Sequence, residues 1–170
     1  MSAVMSHFAR DEGVGLKLVL MVVPSTDLRW SIAEEPLRTK VASKYPSVGL
    51  VENSPWGPRS RMTWFMNYWI PKCDGVREAA MNDWVASPIL APNFKSLPRT
   101  HIVTAEFDLS RDESHQYGEK MRSEGNEVTM KCYAGMPHAF GHYNHPERGL
   151  KKSHEYVQDT CETIRLAHGL

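Results

Sequence analysis

The chain has 170 residues, with 20 Lys and Arg against 20 Asp and Glu, 41% hydrophobic side chains and 24% charged ones. That length suits one domain around one core, and the apolar fraction argues against a wholly disordered chain. Zero formal net charge argues against a general nucleic-acid binder, which draws on a basic excess. No segment approaches the ~20 apolar residues that a membrane helix needs, and no basic-then-apolar leader follows Met1. The three cysteines, Cys73, Cys132 and Cys161, are odd in number and share no C-x-x-C spacing. Such usage predicts reduced thiols in a cytoplasmic compartment.

Val4, Met5 and Phe8 share one helical face, so a helix is expected up to Gly13. The run Leu16 to Val23 is β-branched, nearly all apolar and ended by Pro24. That pattern predicts a strand buried on both faces, the habit of parallel sheets. Residues 25–100 are broken by Pro36, Pro46, Pro55, Pro58, Pro71, Pro88, Pro92 and Pro98 into short pieces, which reads as a helical, cap-like insertion within a single domain. Inside it, Met62 to Trp69 is crowded with aromatics and Met. Core or cap packing explains that composition; a hydrophobic substrate pocket built from Trp64, Phe65, Tyr68 and Trp84 would use the same residues.

Regularity returns at Thr100. His101 to Ala105 is expected as a strand, and Asp108 follows it. Ser110-Arg-Asp-Glu113 has the spacing of a capping box at a helix start, with Asp112 and Glu113 in a solvated turn. Tyr117 and Met121 form an i, i+4 apolar pair, and Gly125 is the stop. Glu127 to Tyr133 alternates polar and apolar, as a strand near a sheet edge does. Gly135 to Phe140 reads as a loop, and Pro146 as the opening of a last helix with Tyr156, Val157, Cys161 and Ile164 on one stripe. The fold class is therefore α/β, with about three parallel strands flanked by helices.

The chemistry is expected where two strands end together. Adjacent parallel strands lie about 4.8 Å apart, and open α/β sheets bind ligands at their carboxyl edge. Asp108 and His138 leave that edge on neighbouring strands, and an Asp that fixes one imidazole tautomer is the base half of a nucleophile–His–Asp arrangement. His138, His142 and His145 could instead be metal ligands, but Pro137, Gly141 and Pro146 break the helix that would place them on one face.

Ser87-Pro88, Leu97-Pro98, His101 to Asp108, Arg111-Asp-Glu113, Tyr117, Gly125 and Tyr133 to Phe140 together resemble the C-terminal half of the α/β-hydrolase fold-3 family, the hormone-sensitive-lipase-like esterases. Pro24-Ser-Thr-Asp27 is similar to a further segment of that family. The resemblance implies that Asp108 is the triad acid and His138 the triad base. It also implies a carboxylic-ester hydrolase for small or medium hydrophobic esters, without metal or organic cofactor. Leu109 stands where the family has Pro.

The family nucleophile sits on a G-x-S-x-G elbow, and no two glycines of this chain lie four apart. Ser2 to Arg10 resembles the helix after the elbow, so the chain is expected to be truncated just past its nucleophile. Ser2 and Ser6 fall inside that helix, away from a strained elbow or oxyanion amides. Ser25 and Ser110 read as structural, and Cys132 as a small core residue. Two alternatives stay open: a non-catalytic or regulatory remnant acting through binding or dimerisation, and a His–Asp acid–base catalyst such as a lyase, isomerase or cyclase. The apolar edge of the first strand predicts a homodimer, or a partner that covers it.

Overall fold

The computed structural model describes residues 1–73 and 75–170. Three parallel strands, β1 (Val19–Val22), β2 (Thr100–Phe107) and β3 (Val128–Pro137), form one sheet in the order β1-β2-β3. Helix α1 (Ser2–Asp11) precedes the sheet. Between β1 and β2 the chain runs through α2 (Arg29–Ile32), α3 (Leu37–Ala42), α4 (Pro46–Val51), α5 (Arg59–Trp69), α6 (Val76–Asn82) and a 3-10 turn at Pro88–Leu90. Helix α7 (Arg111–Ser123) links β2 to β3, and α8 (Lys151–Ala167) closes the chain.

The sheet is covered on both faces because β2 is apolar on both. Ile102 packs into a cluster with Ala3, Val19, Met21, Phe94, Tyr117 and Met121, while Val103 and Ala105 pack with Tyr133, Phe140 and Tyr156. Gly118 lets α7 lie close on the sheet: a Cβ there would stand 2.5 Å from the Met130 sulfur and 3.0 Å from Ile102 Cδ1. Helices α2, α3 and α4 form a second cluster, in which Leu109 joins Trp30, Val41, Tyr45, Val48 and Val51.

Several expectations need correction. The first strand is shorter than the run Leu16–Val23, and the last helix starts at Lys151 rather than at Pro146. Within α1 the buried face is Ala3, Val4, Ser6 and His7, whereas Met5 and Phe8 are exposed. His7 is accepted inside because its Nε2 lies 3.0 Å from the Tyr117 hydroxyl and its ring packs on Trp84 and Phe94. Cys132 is exposed on edge strand β3 and not in the core, and Cys161 and Ile164 face solvent on α8. Ser110–Glu113 does mark the start of α7, but Ser110 makes no cap hydrogen bond and Glu113 is fully buried.

Candidate active site

A bulge in the β2–β3 ladder builds the site. Ala105 pairs with Tyr133, but Phe107 pairs with Pro137, so β3 spends three residues, 134–136, where β2 spends one. Gly135 takes a left-handed φ of +77° there, a conformation glycine adopts without strain. The Glu106 carboxylate caps its N–H at 2.6 Å. The two-residue register shift puts Asp108 and His138 next to each other as the residues following a paired position. His138 thus leaves β3 itself, where a loop from Gly135 was expected.

His138 Nδ1 stands 2.9 Å from Asp108 Oδ2. The other oxygen, Oδ1, accepts from the Ser110 N–H at 3.0 Å and the Ser110 hydroxyl at 2.9 Å. A carboxylate only accepts, so Nδ1 carries the proton and Nε2 keeps the lone pair of a base. Burial opposes charging of His138, but the hydrogen bond and negative charge of Asp108 outweigh it, and the imidazole titrates above its ordinary value. Ser110, expected as a helix cap, is instead spent on aiming the Asp108 carboxylate.

Helix α4 holds the Asp108 turn from outside. The Ser47 hydroxyl donates to Leu109 O at 2.9 Å, and the Ser47 N–H donates to Asp112 Oδ2 at 2.6 Å. Leu109 anchors this turn in the cluster that α2, α3 and α4 form. The His138 turn is held as well. Ala139 has φ +59°, the Trp56 indole N–H donates to His138 O at 2.9 Å, and Trp56 meets Tyr143 edge-on at 5.3 Å.

A cavity of about 200 Å³ opens beside His138, lined by Trp56, Gly57, Pro58, Arg61, Met62, Phe65, Asp108, Leu109, His138 and Ala139. Of the four aromatics expected there, Phe65 alone is in its wall. Trp64 stacks edge-on against Phe65 and Tyr68 at 4.9 and 4.7 Å, and lines a separate groove with Arg38 and Glu52. Tyr68 is 74% exposed, and Trp84 packs against His7 and Phe8, beside the core cluster that α1 shares with the sheet. Helical spacing explains the split, because positions 61, 62 and 65 share one side of α5 and 64 and 68 another. The same spacing would have yielded Arg61 and Met62 once Phe65 was placed; nothing in the sequence marks Trp56.

No serine or cysteine lines this cavity. Ser25 is committed elsewhere, donating to Glu113 Oε1 at 3.1 Å, and the Ser6 hydroxyl donates to Ala3 O at 2.6 Å. Among the described residues no three His, Cys, Asp or Glu side chains converge as a metal set, and no helix is long and apolar enough to cross a membrane.

A model of the alpha/beta hydrolase fold matches residues 1–142. This chain belongs to the α/β-hydrolase fold-3 family. An AB hydrolase superfamily protein of Schizosaccharomyces pombe is 32% identical over 125 residues, 72% of this chain and 32% of that protein. The hormone-sensitive lipase of Homo sapiens is 39% identical over 56 residues, 32% of this chain and 5% of the lipase. Among solved structures, a thermophilic carboxylesterase cloned from a metagenomic library superposes with a TM-score of 0.76 at 25% identity, over 97% of this chain and 50% of the esterase. The chain thus spans about half the length of that esterase and about a third of the yeast relative.

Proposed function

We propose that this α/β-hydrolase chain carries the proton-moving half of a carboxylic-ester hydrolase acting on small or medium hydrophobic esters. The observation that carries the reading is the 2.9 Å Nδ1–Oδ2 contact at the open end of the sheet, with Asp108 buried and His138 bordering an apolar cavity. In that role His138 Nε2 takes the proton of an attacking hydroxyl and returns it to the leaving alkoxide. Asp108 holds the tautomer and stabilises the imidazolium between the two steps.

Fast ester cleavage also needs an activated serine and oxyanion amides, and one such donor is worth about 10²–10³ in rate. The sequence contains no G-x-S-x-G, and no serine borders the cavity. We therefore expect this 170-residue chain to hydrolyse p-nitrophenyl esters slowly, without a burst and without labelling by serine-directed phosphonates. Stoichiometric labelling would reveal an overlooked nucleophile.

A base without a nucleophile beside an apolar wall also supports a second reading, plain acid–base catalysis of a lyase, isomerase or cyclase type. General acid–base catalysis contributes about 10²–10⁴, so His138→Ala should remove that factor from any turnover, and Asp108→Asn a smaller part of it. Turnover unchanged in His138→Ala would sink both readings.

A further inference from the structure

We infer that Arg61 is a specificity-determining residue, and that the cavity beside His138 selects small esters bearing a free carboxylate next to an apolar chain or ring. The inference rests on the proposal that this cavity is the substrate site.

The walls Trp56, Met62, Phe65 and Leu109 are apolar, and Arg61 brings a guanidinium into the same lining. At about 200 Å³ the space lies below the ~300–1,000 Å³ of drug-sized sites, so a small group fills it. Arg59, two residues earlier, is neutralised by Glu52 at 2.7 Å, whereas Arg61 has no carboxylate partner among the described residues. Asp108 is the one carboxylate in the lining. It is 1% exposed and already committed to His138 and Ser110, so an incoming anion meets no open negative charge.

Arg61 is also positioned in advance. Its Nη1 donates to Trp56 O at 2.9 Å, and Trp56 is in turn tied to His138 O and packed on Tyr143. The guanidinium is thus chained to the turn that carries the base, while its remaining N–H groups stay available for a forked contact with a carboxylate. Arg61 is itself exposed, so this bond restrains the guanidinium without burying it, and a restrained cation loses less freedom when the ligand arrives.

Two probes separate the charge from the apolar contact: 3-phenylpropionate and its neutral primary amide. Both would be titrated at pH 8 and low ionic strength, followed by tryptophan fluorescence and calorimetry. The wild-type chain should bind the carboxylate at least about tenfold more tightly, the lower end for a charged hydrogen bond, and added salt should erode the difference. Arg61→Gln should abolish the preference without weakening the amide, and Arg61→Lys should keep part of it. His138→Gln should keep the preference, which separates Arg61 from attraction to the imidazolium. Equal affinity of the two probes for wild type, binding of neither, or a preference that survives Arg61→Gln would overturn the inference. Whether His138 and Asp108 act as a pair is read separately, from the imidazole nitrogen shifts in wild type and Asp108→Asn.

Discussion

Asp108 accepts from three donors, two of them on Ser110, and this division decides which oxygen is left for His138. Glu113 shows the same economy at greater depth. Its Oε2 accepts from the Asp27 N–H at 2.6 Å and its Oε1 from Ser25. Asp27 is itself gripped by Arg29 and by the Tyr45 hydroxyl at 2.8 Å. Complete burial, then repulsion from Asp27, pushes the Glu113 carboxyl well above the ordinary carboxylate range. An unfolded Glu loses its proton near ~4.3, so above that pH the folded chain holds a proton that the unfolded chain releases, and stability falls as pH rises through the folded value. Glu113→Gln mimics the neutral form, and urea unfolding at pH 5, 7 and 9 should show a flatter pH dependence with a change of under ~1 kcal/mol at pH 5. Glu113→Ala leaves two donors and a void, and should cost about 2–4 kcal/mol. An unchanged pH slope in the Gln variant would show that Glu113 is ionised in place.

At the scale of elements, α1 is docked through a histidine, and this makes its attachment sensitive to acid. Burial, with help from Arg10, lowers the His7 pKa to about 4. Between the ordinary 6.5 and about 4 the unfolded chain takes up a proton that the folded chain refuses, so stability is lost as pH falls through that window. At 1.36 kcal/mol per pH unit the loss reaches about 3 kcal/mol. Hydrogen exchange should therefore show α1 amides opening more readily at pH 4.5 than at pH 7, and His7→Phe should remove that difference. Protection of α1 that is equal at both pH values would refute the assignment. The elements themselves were legible in the sequence where one pattern dominated, as in β2 and the start of α7. The polar side of α1 and the burial of Glu113 were not, because propensity and hydropathy put Ser, His and Glu outside, whereas tertiary partners 110 and 86 residues away satisfy His7 and Glu113 here, and Ser6 turns back to Ala3 O within its own helix. The register shift that brings His138 level with Asp108 is likewise a property of two paired strands, and no periodicity in β3 alone announces it.

At the scale of the molecule, the sheet ends on a strand that has a neighbour on one side only. The N–H groups of Val19 and Val23 donate to Arg99 O and Val103 O on the β2 side. Alternation along a strand then turns the backbone groups of Leu20 and Val22 toward the open edge. Nothing in Val19–Val22 discourages pairing, for the strand contains neither charge nor Pro. Met5 and Leu16 add exposed apolar surface, and with Leu18 and Leu20 they line a shallow groove beside the strand. A two-fold axis perpendicular to the sheet would pair two copies of β1 antiparallel and join their apolar strips in one closed interface. We expect a homodimer on this basis, with size-exclusion and light scattering giving twice the 19.3 kDa of one chain at micromolar concentration. Leu20→Pro removes a donor that points to the open edge while leaving the β1–β2 ladder its own bonds, and should release folded monomer with an unchanged circular dichroism spectrum. A wild-type mass of 19.3 kDa would refute edge pairing, and a dimer that persists in Leu20→Pro would place its interface on another face.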